Sequence, residues 1–147
     1  MNKQFNYPVK FLKQKEGGVL IRFPDFPEAI TQADSKEEAF REAIDCLEEA
    51  IANRIEMKLD IPNPSSIKRG QHRVLLHAIF AAKLALYLAL RERKITNTAL
   101  AEKLDCDEKE IRRLLNPHYC SKLPRIEQAL WVLGKRLQIE IVACDPC

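Results

Sequence analysis

Hydrophobic and polar residues alternate along two segments near the start of the chain, and this pattern predicts a β-hairpin. The segments are residues 5–13 and 19–23, and a Lys-Glu-Gly-Gly turn separates them. Residues 29–33 are predicted to add a third short strand. A helix follows, because Ser35 and Glu38 have the spacing of a capping box and the apolar residues after them recur at helical spacing. The front of the chain is therefore predicted to be a small antiparallel sheet with one helix.

The rest of the chain has mainly the apolar spacing of helices. The predicted elements are a Pro-, Ser- and Gly-rich loop at residues 60–70, a strand at 73–77, helices at 82–93 and 126–137, and a further alternating segment at 138–143. The predicted fold class is α+β. We place one domain at residues 1–78, with a linker at about residues 59–71, and an all-α domain at residues 79–147.

A segment in this second domain carries the pattern of a helix-turn-helix motif. Ala101 and Ile111 stand where the motif needs a small residue under the helix crossing and a branched apolar anchor on the second helix. Thr96 or Asn97 is predicted to cap the first helix. Asp105 occupies the turn position at which the motif most often has Gly, so we expect a left-handed backbone there at some energetic cost.

The second helix of this motif is predicted to enter the major groove of DNA. Asp107 and Glu110 have the spacing of a capping pair at its start, although acidic groups there oppose phosphate. Its outward positions and the residues just beyond it are rich in Lys, Arg and Asn, which donate hydrogen bonds to phosphate and base edges. The candidate DNA contacts are Thr96, Asn97, Lys109, Arg112, Arg113, Asn116, Ser121 and Lys122.

The motif also implies an oligomer. One recognition helix covers too few base pairs for useful specificity, so we expect a homodimer or higher oligomer on a palindromic operator. The alternating residues 138–143 have few partners nearby in the sequence, and we expect them to complete a sheet with a second copy. Trp131 is placed either at this contact or in the interior of its own domain.

Charge differs between the two halves of the chain. Residues 1–60 carry 9 Lys and Arg against 12 Asp and Glu, whereas residues 61–147 carry 15 against 9. An acidic front suits a basic protein partner, and a basic back suits nucleic acid. The chain begins without the apolar run of a signal peptide, and Lys83 interrupts its longest apolar stretch, so we expect a cytoplasmic protein with no membrane partner.

The cysteines do not indicate a metal site. There are five, an odd number without framework spacing, which fits reduced thiols. Cys144 and Cys147 form a C-x-x-C pair at the end of the chain. A zinc site needs four converging ligands, usually from two such pairs, and the chain has one pair. We therefore expect neither a metal nor another cofactor.

Short motifs follow one another along the front half of the chain. They are Tyr7-Pro8-Val9, Glu16-Gly17-Gly18, Phe23-Pro24-Asp25-Phe26-Pro27-Glu28-Ala29, Thr31-Gln32, Glu37-Glu38-Ala39 and, further on, Ile61-Pro62-Asn63-Pro64-Ser65. In this order they closely resemble the HicB antitoxin family. With the helix-turn-helix pattern, the resemblance covers nearly the whole chain.

The resemblance implies a type II antitoxin. Such proteins have an N-terminal domain like a reduced RNase H fold, which covers the HicA toxin, a small basic ribonuclease that cleaves mRNA. Their C-terminal domain binds the operator of the operon and represses it. The candidate toxin contacts are Phe23, Asp25, Phe26 and Glu28. Phe26 is the candidate for an exposed aromatic anchor, although prolines such as those beside it also pin residues inward at turns.

Two other functions fit parts of the sequence. The RNase H likeness suggests a metal-dependent nuclease, which needs several carboxylates gathered at strand ends, whereas only Asp25 and Glu28 lie near the loop. A repressor that senses a ligand, without a toxin, would need a pocket with convergent polar groups, which a sheet and one helix of this size hardly provide. We therefore expect an antitoxin without catalytic residues or enzyme activity.

Overall fold

The computed structural model describes residues 3–143 and confirms the α+β fold class. The elements within these residues are β1 (Asn6–Lys13), β2 (Val19–Phe23), β3 (Phe26–Ala33), α1 (Lys36–Glu56), β4 (His72–Leu75), α2 (Ala78–Arg93), α3 (Asn97–Lys103), α4 (Glu108–Leu115) and α5 (Leu123–Val132). The chain divides into two compact units, with the boundary between residues 81 and 82, inside α2.

The first unit is an antiparallel sheet with strand order β3-β2-β1-β4 and with α1 packed on one face. Alternation along the strands decides which face is covered, because successive side chains point to opposite sides. Tyr7 lies opposite Val74 on the neighbouring strand, and both are buried, as is Ile21 on β2. Lys10 and Arg22, which are also opposite each other, are exposed on the other face.

The second hairpin differs from the prediction. β3 begins at Phe26 rather than at residue 29, because Phe23 pairs with Phe26 across a turn formed by Pro24 and Asp25. The register shifts between Arg22 and Phe23, as at a β-bulge. Such irregularities bend a strand and re-aim its side chains. The prolines therefore shape a tight hairpin connection, and they do not end the sheet.

The second unit contains most of α2 together with α3, α4 and α5. The predicted last helix begins earlier, at Leu123, because Pro124 is tolerated in a first helical turn. It also ends earlier, at Val132, because Gly134 takes the left-handed conformation with φ of 77°. The largest fully buried side chains of the shared apolar core are Leu86, Leu100, Ile111, Ile126 and Leu130.

The end of the described chain carries exposed apolar side chains. Residues 138–143, predicted as a strand, have no secondary structure in this single chain, and Ile139 and Ile141 are 74% and 90% exposed. Trp131 is 60% exposed, so it lies outside the core of its own unit. Pairing with a second copy stays a prediction. Among residues 3–143, no helix is long and apolar enough to cross a membrane.

Candidate nucleic-acid interface

A tight turn joins α3 to α4. Asp105 adopts the left-handed conformation with φ of 51°, and its N–H donates to the carbonyl of Glu102 at 3.3 Å. The N–H of Cys106 donates to the carbonyl of Ala101 at 3.0 Å. These two bonds form the closure of a Schellman motif, which satisfies carbonyls at the end of α3. The prediction of a left-handed Asp105 is confirmed.

Small and branched residues pack the two helices against the core. Ala101 is buried, and its small side chain leaves room for close approach of the neighbouring helix. Ile111 is fully buried and belongs to the same apolar cluster as Ile126 on α5. The inner face of α4 is therefore fixed, while its opposite face is left to solvent.

Side-chain caps fix the starts of both helices. The hydroxyl of Thr96 accepts a hydrogen bond from the N–H of Ala99 at 3.1 Å, so Thr96 is the cap of α3. Oδ1 of Asp107 accepts from the N–H of Glu110 at 3.1 Å and caps α4. Thr96 keeps an O–H with which it can donate to phosphate. Asn97, the first residue of α3, is half-buried.

Four of the predicted DNA contacts form one surface, the α4 outer face, which consists of Lys109, Arg112, Arg113 and Asn116. All four are exposed, and their spacing of three and four residues places them on one side of the helix. Arg112 forms an ion pair with Glu108, with Nε and Oε2 3.2 Å apart. Exposed pairs of this kind contribute at most about 1 kcal/mol, so a phosphate can replace Glu108 at little cost.

The other acidic residues at the start of α4 also have partners within the unit. Asp107 is the helix cap, and Oε1 of Glu110 accepts from Nε of Arg125 on α5 at 2.8 Å. The hydrogen bond that Arg125 donates to Glu110 raises the pKa of Arg125 above its ordinary value. Paired carboxylates repel phosphate less than free ones. These pairs therefore offset part of the repulsion between the acidic residues and phosphate beside the α4 outer face.

A loop of residues 116–122 follows α4. Oδ1 of Asn116 accepts from the N–H of His118 at 3.0 Å, and the guanidinium of Arg113 lies 5.5 Å from the centre of the Tyr119 ring. The loop also contains the predicted contacts Ser121, which is half-buried, and Lys122, which is exposed. The Ser121 oxygen accepts a hydrogen bond from inside the unit, so among these two Lys122 is the better placed for phosphate.

The donor to Ser121 is Lys83, which sequence analysis did not identify as a site residue. Lys83 lies on α2 and is 1% exposed, and its Nζ lies 2.9 Å from the Ser121 hydroxyl oxygen. Burial lowers the pKa of Lys83 to about 8. The available sequence signal was a charged residue inside the apolar stretch of residues 78–90. Buried charges are rarely retained without partners, so this interruption could have marked the site.

The aromatic candidates for toxin contact are buried in the first unit. Phe23 is 3% exposed and Phe26 is 0% exposed, so the expectation of an exposed Phe26 is wrong. The Phe26 ring packs edge to face on Tyr7, with centroids 5.1 Å apart, and the guanidinium of Arg54 lies 4.8 Å from its centre. Phe26 starts a strand on the covered face of the sheet, and the neighbouring prolines hold it inward.

The two acidic candidates accept hydrogen bonds from α1 and from the segment that follows it. Both oxygens of Asp25 accept hydrogen bonds from Ser65, one from its N–H at 2.9 Å and one from its hydroxyl. Glu28 accepts two bonds from Arg54, at 2.6 and 2.8 Å, and these lower the pKa of Glu28. Arg54 also donates to the carbonyl of Asp60 at 3.2 Å. These residues therefore connect the second hairpin to α1 and to the segment that leads to β4.

Within residues 3–143, no group of three or more His, Cys, Asp and Glu side chains is arranged to hold an ion. The oxygens of Asp25 and Glu28 face Ser65 and Arg54. Cys144 and Cys147 lie outside the described residues.

Comparison with known proteins defines the class of this chain. Residues 6–85 match a family model described as "HicB_like antitoxin of bacterial toxin-antitoxin system". This span contains the whole sheet, α1 and the first half of α2, and it is more than half of the chain. The chain therefore belongs to the HicB-like antitoxin family, and the resemblance inferred from its short motifs is confirmed.

Relatives align with both units. Antitoxin HicB 2 of Photorhabdus laumondii subsp. laumondii is 37% identical over 139 residues, which are 95% of this chain and 98% of that protein. Antitoxin HicB of Escherichia coli (strain K12) is 34% identical over 92% of this chain and 99% of its own length. Antitoxin HicB of Pseudomonas fluorescens is 29% identical over 95% of each chain. The similarity therefore includes α3, α4 and α5 as well as the sheet.

Proposed function

We propose that this chain neutralises a HicA-like, mRNA-cleaving toxin by direct binding and represses its own operon by binding operator DNA. Family membership supports the antitoxin role. The observation that carries the DNA-binding role is the α4 outer face, which is exposed and carries three cations, while Glu110 beside it is ion-paired with Arg125 of α5 and Glu108 is held only by an exposed pair with Arg112.

In this proposal α3, its turn and α4 act as a helix-turn-helix, and α4 enters the major groove. Lys109, Arg112 and Arg113 donate to guanine edges or phosphates, and Asn116 pairs with adenine. Thr96 and Asn97 at the start of α3, and Ser121 and Lys122 after α4, are placed near the DNA backbone. A homodimer supplies two such helices to a palindromic operator.

The test replaces Lys109, Arg112 and Arg113 together with Ala. Each contact to a base is worth about 1–3 kcal/mol, so we expect operator affinity to fall by more than about 100-fold and its salt dependence to become shallower. The control replaces Lys10, Lys13 and Lys15, which are exposed in the first unit, and removes the same charge. Equal affinity of the wild type and the triple variant of α4, in fluorescence anisotropy with promoter DNA, would refute the assignment.

For the toxin, we propose a surface on α1 in addition to the rim of the residue 24–28 loop. Glu38, Glu42, Asp45 and Glu49 are exposed and spaced by three or four residues, so they form an acidic stripe along one side of α1. A ribonuclease presents a basic surface to RNA, and an acidic partner both competes for that surface and associates faster. Asp25 and Glu28 contribute charge at the loop, and the buried Phe23 and Phe26 support it from beneath.

The test reverses two charges of this stripe in the full chain, with Glu42→Lys and Asp45→Lys. We expect association with the purified toxin to slow by about ten-fold at low salt, since removing attraction acts mainly on the encounter rate. The control reverses Glu16 and Asp34, which are exposed outside α1. Equal association rates of the two double variants, measured by surface plasmon resonance, would place the toxin elsewhere.

A further inference from the structure

Lys83 is a buried ammonium surrounded by oxygen atoms. Its side chain is 1% exposed and lies beside the apolar core of the second unit, between the core residues Ala82 and Leu86 in the sequence. Burying a charge without partners costs several kcal/mol. Its partners are the carbonyls of Arg113 at 3.1 Å, Asn116 at 2.7 Å and Tyr119 at 2.6 Å, and the Ser121 hydroxyl at 2.9 Å.

These acceptors lie at the end of α4 and in the loop after it. Arg113 is in the last turn of α4, Asn116 is its C-cap, and Tyr119 and Ser121 follow in the loop. A cation at a helix C-terminus is favoured by the helix dipole and by the unsatisfied carbonyls there. One ammonium, with its three N–H groups shared among four acceptors, thus links four points on a nine-residue segment. The segment carries three of the proposed DNA contacts.

We propose that Lys83 is a positioning residue for DNA binding, because its ammonium holds the end of α4 and residues 116–121 in the conformation that DNA requires. The inference rests on the proposed operator binding. Lys83 itself is too deeply buried to touch DNA. It acts by placing Arg113, Asn116 and Ser121, and by turning the chain so that Lys122 emerges beside them.

The proposed role predicts that DNA binding depends on the charge state of Lys83. A protonated amine offers three donors, whereas a neutral amine offers two and turns a lone pair towards carbonyl oxygens. Burial lowers the pKa of Lys83 to about 8, so the folded protein loses this charge between pH 7 and pH 9. Operator affinity should therefore fall as the pH rises through about 8.

Other titratable groups lie near the ammonium, and their response to pH must be distinguished from that of Lys83. The Cys120 thiol interacts electrostatically with Lys83, and the Tyr119 ring lies 5.8 Å from Nζ. The Arg113 guanidinium lies over the same ring, and Tyr87 is one turn along α2. Tyrosine and arginine titrate well above pH 9, whereas an ordinary cysteine titrates near 8.5. A Cys120→Ser background removes this ambiguity.

The experiment compares Lys83→Met with Leu86→Ala in the full-length chain. Methionine has a similar length without the charge, whereas Leu86→Ala destabilises the same unit by a cavity and leaves the ammonium in place. Both variants are measured at a temperature at which circular dichroism shows them folded. We expect operator affinity to fall by about ten-fold in Lys83→Met and by less than about three-fold in Leu86→Ala, since one or two contacts are misplaced.

Affinity is then measured from pH 7 to pH 9 in the Cys120→Ser background. With Lys83 present it should fall with rising pH, and with Lys83→Met it should stay constant. Equal losses in Lys83→Met and Leu86→Ala, or a flat profile with Lys83 present, would show that Lys83 serves stability alone. If Lys83→Met does not fold, the pH profile decides. A wild type that binds no promoter DNA would refute both the proposed operator binding and this inference.

Discussion

The burial of Ile111 gives the strongest quantitative prediction, because this side chain fixes α4 to the core. Ile111 is fully buried, and Ile111→Ala removes three carbon atoms from it. At about 0.8 kcal/mol per buried CH₂, the transfer contribution is about 2.4 kcal/mol. The remaining cavity adds to this, and comparable substitutions cost about 2–5 kcal/mol. We expect a loss near 3 kcal/mol, a large part of the 5–15 kcal/mol that is typical of a domain.

The single tryptophan makes this loss measurable in the second unit alone. Trp131 lies on α5, so its fluorescence during urea unfolding reports on the unit that contains Ile111. The control is Ile30→Ala, which removes the same atoms from a side chain on β3 of the first unit that is 52% exposed. The control should change the free energy of unfolding by less than about 0.5 kcal/mol. A loss below about 1 kcal/mol in Ile111→Ala would mean that this residue does not anchor α4.

Three further predictions concern the turn, the loop and the chain end. Asp105→Gly should raise the free energy of unfolding by about 0.5–1 kcal/mol in the same urea assay, because glycine relieves a left-handed backbone; a decrease would mean that the Asp side chain stabilises the turn. Phe26→Ala should lower the stability of the first unit by about 3–5 kcal/mol in thermal unfolding, and a folded variant should still inhibit the toxin. Loss of inhibition by a folded variant would mean that Phe26 contacts the toxin. Replacing Ile139, Ile141 and Val142 with Ser should convert dimers to monomers in sedimentation, unless the contact between copies lies elsewhere.

The α3–α4 turn was predictable from the sequence because its determinants are local. The caps Thr96 and Asp107 bond to N–H groups three residues away, and the left-handed Asp105 follows from the spacing between the helices. The apolar periodicity placed Ala101 and Ile111 in the core without any knowledge of what they touch. Signals of this kind act within about one helical turn, so they can be recognised from neighbouring residues in the sequence.

The partners of the polar side chains were not predictable, because they are distant in sequence. Asp25 bonds to a residue 40 positions away, Glu28 to one 26 positions away, and Lys83 to carbonyls 30 to 36 positions away. Only the folded arrangement of elements brings such groups together. The same arrangement decided the place of Phe26, whose flanking prolines were compatible with either an exposed or a buried ring. Chemistry alone identified the residue types and left their partners open.

Ion pairs within the chain reduce the effective charge of some acidic residues, and this affects where the toxin and DNA should bind. In the second unit, Glu110 is paired with Arg125, which weakens the repulsion that Glu110 exerts on phosphate beside the α4 outer face. In the first unit, Glu28 is paired with Arg54, which makes the residue 24–28 loop less acidic than its composition. We therefore expect attraction of a basic toxin to depend mainly on the acidic stripe of α1. Substitutions on that stripe should change association rates, whereas substitutions in the loop should have a smaller effect on these rates and should also lower the stability of the first unit.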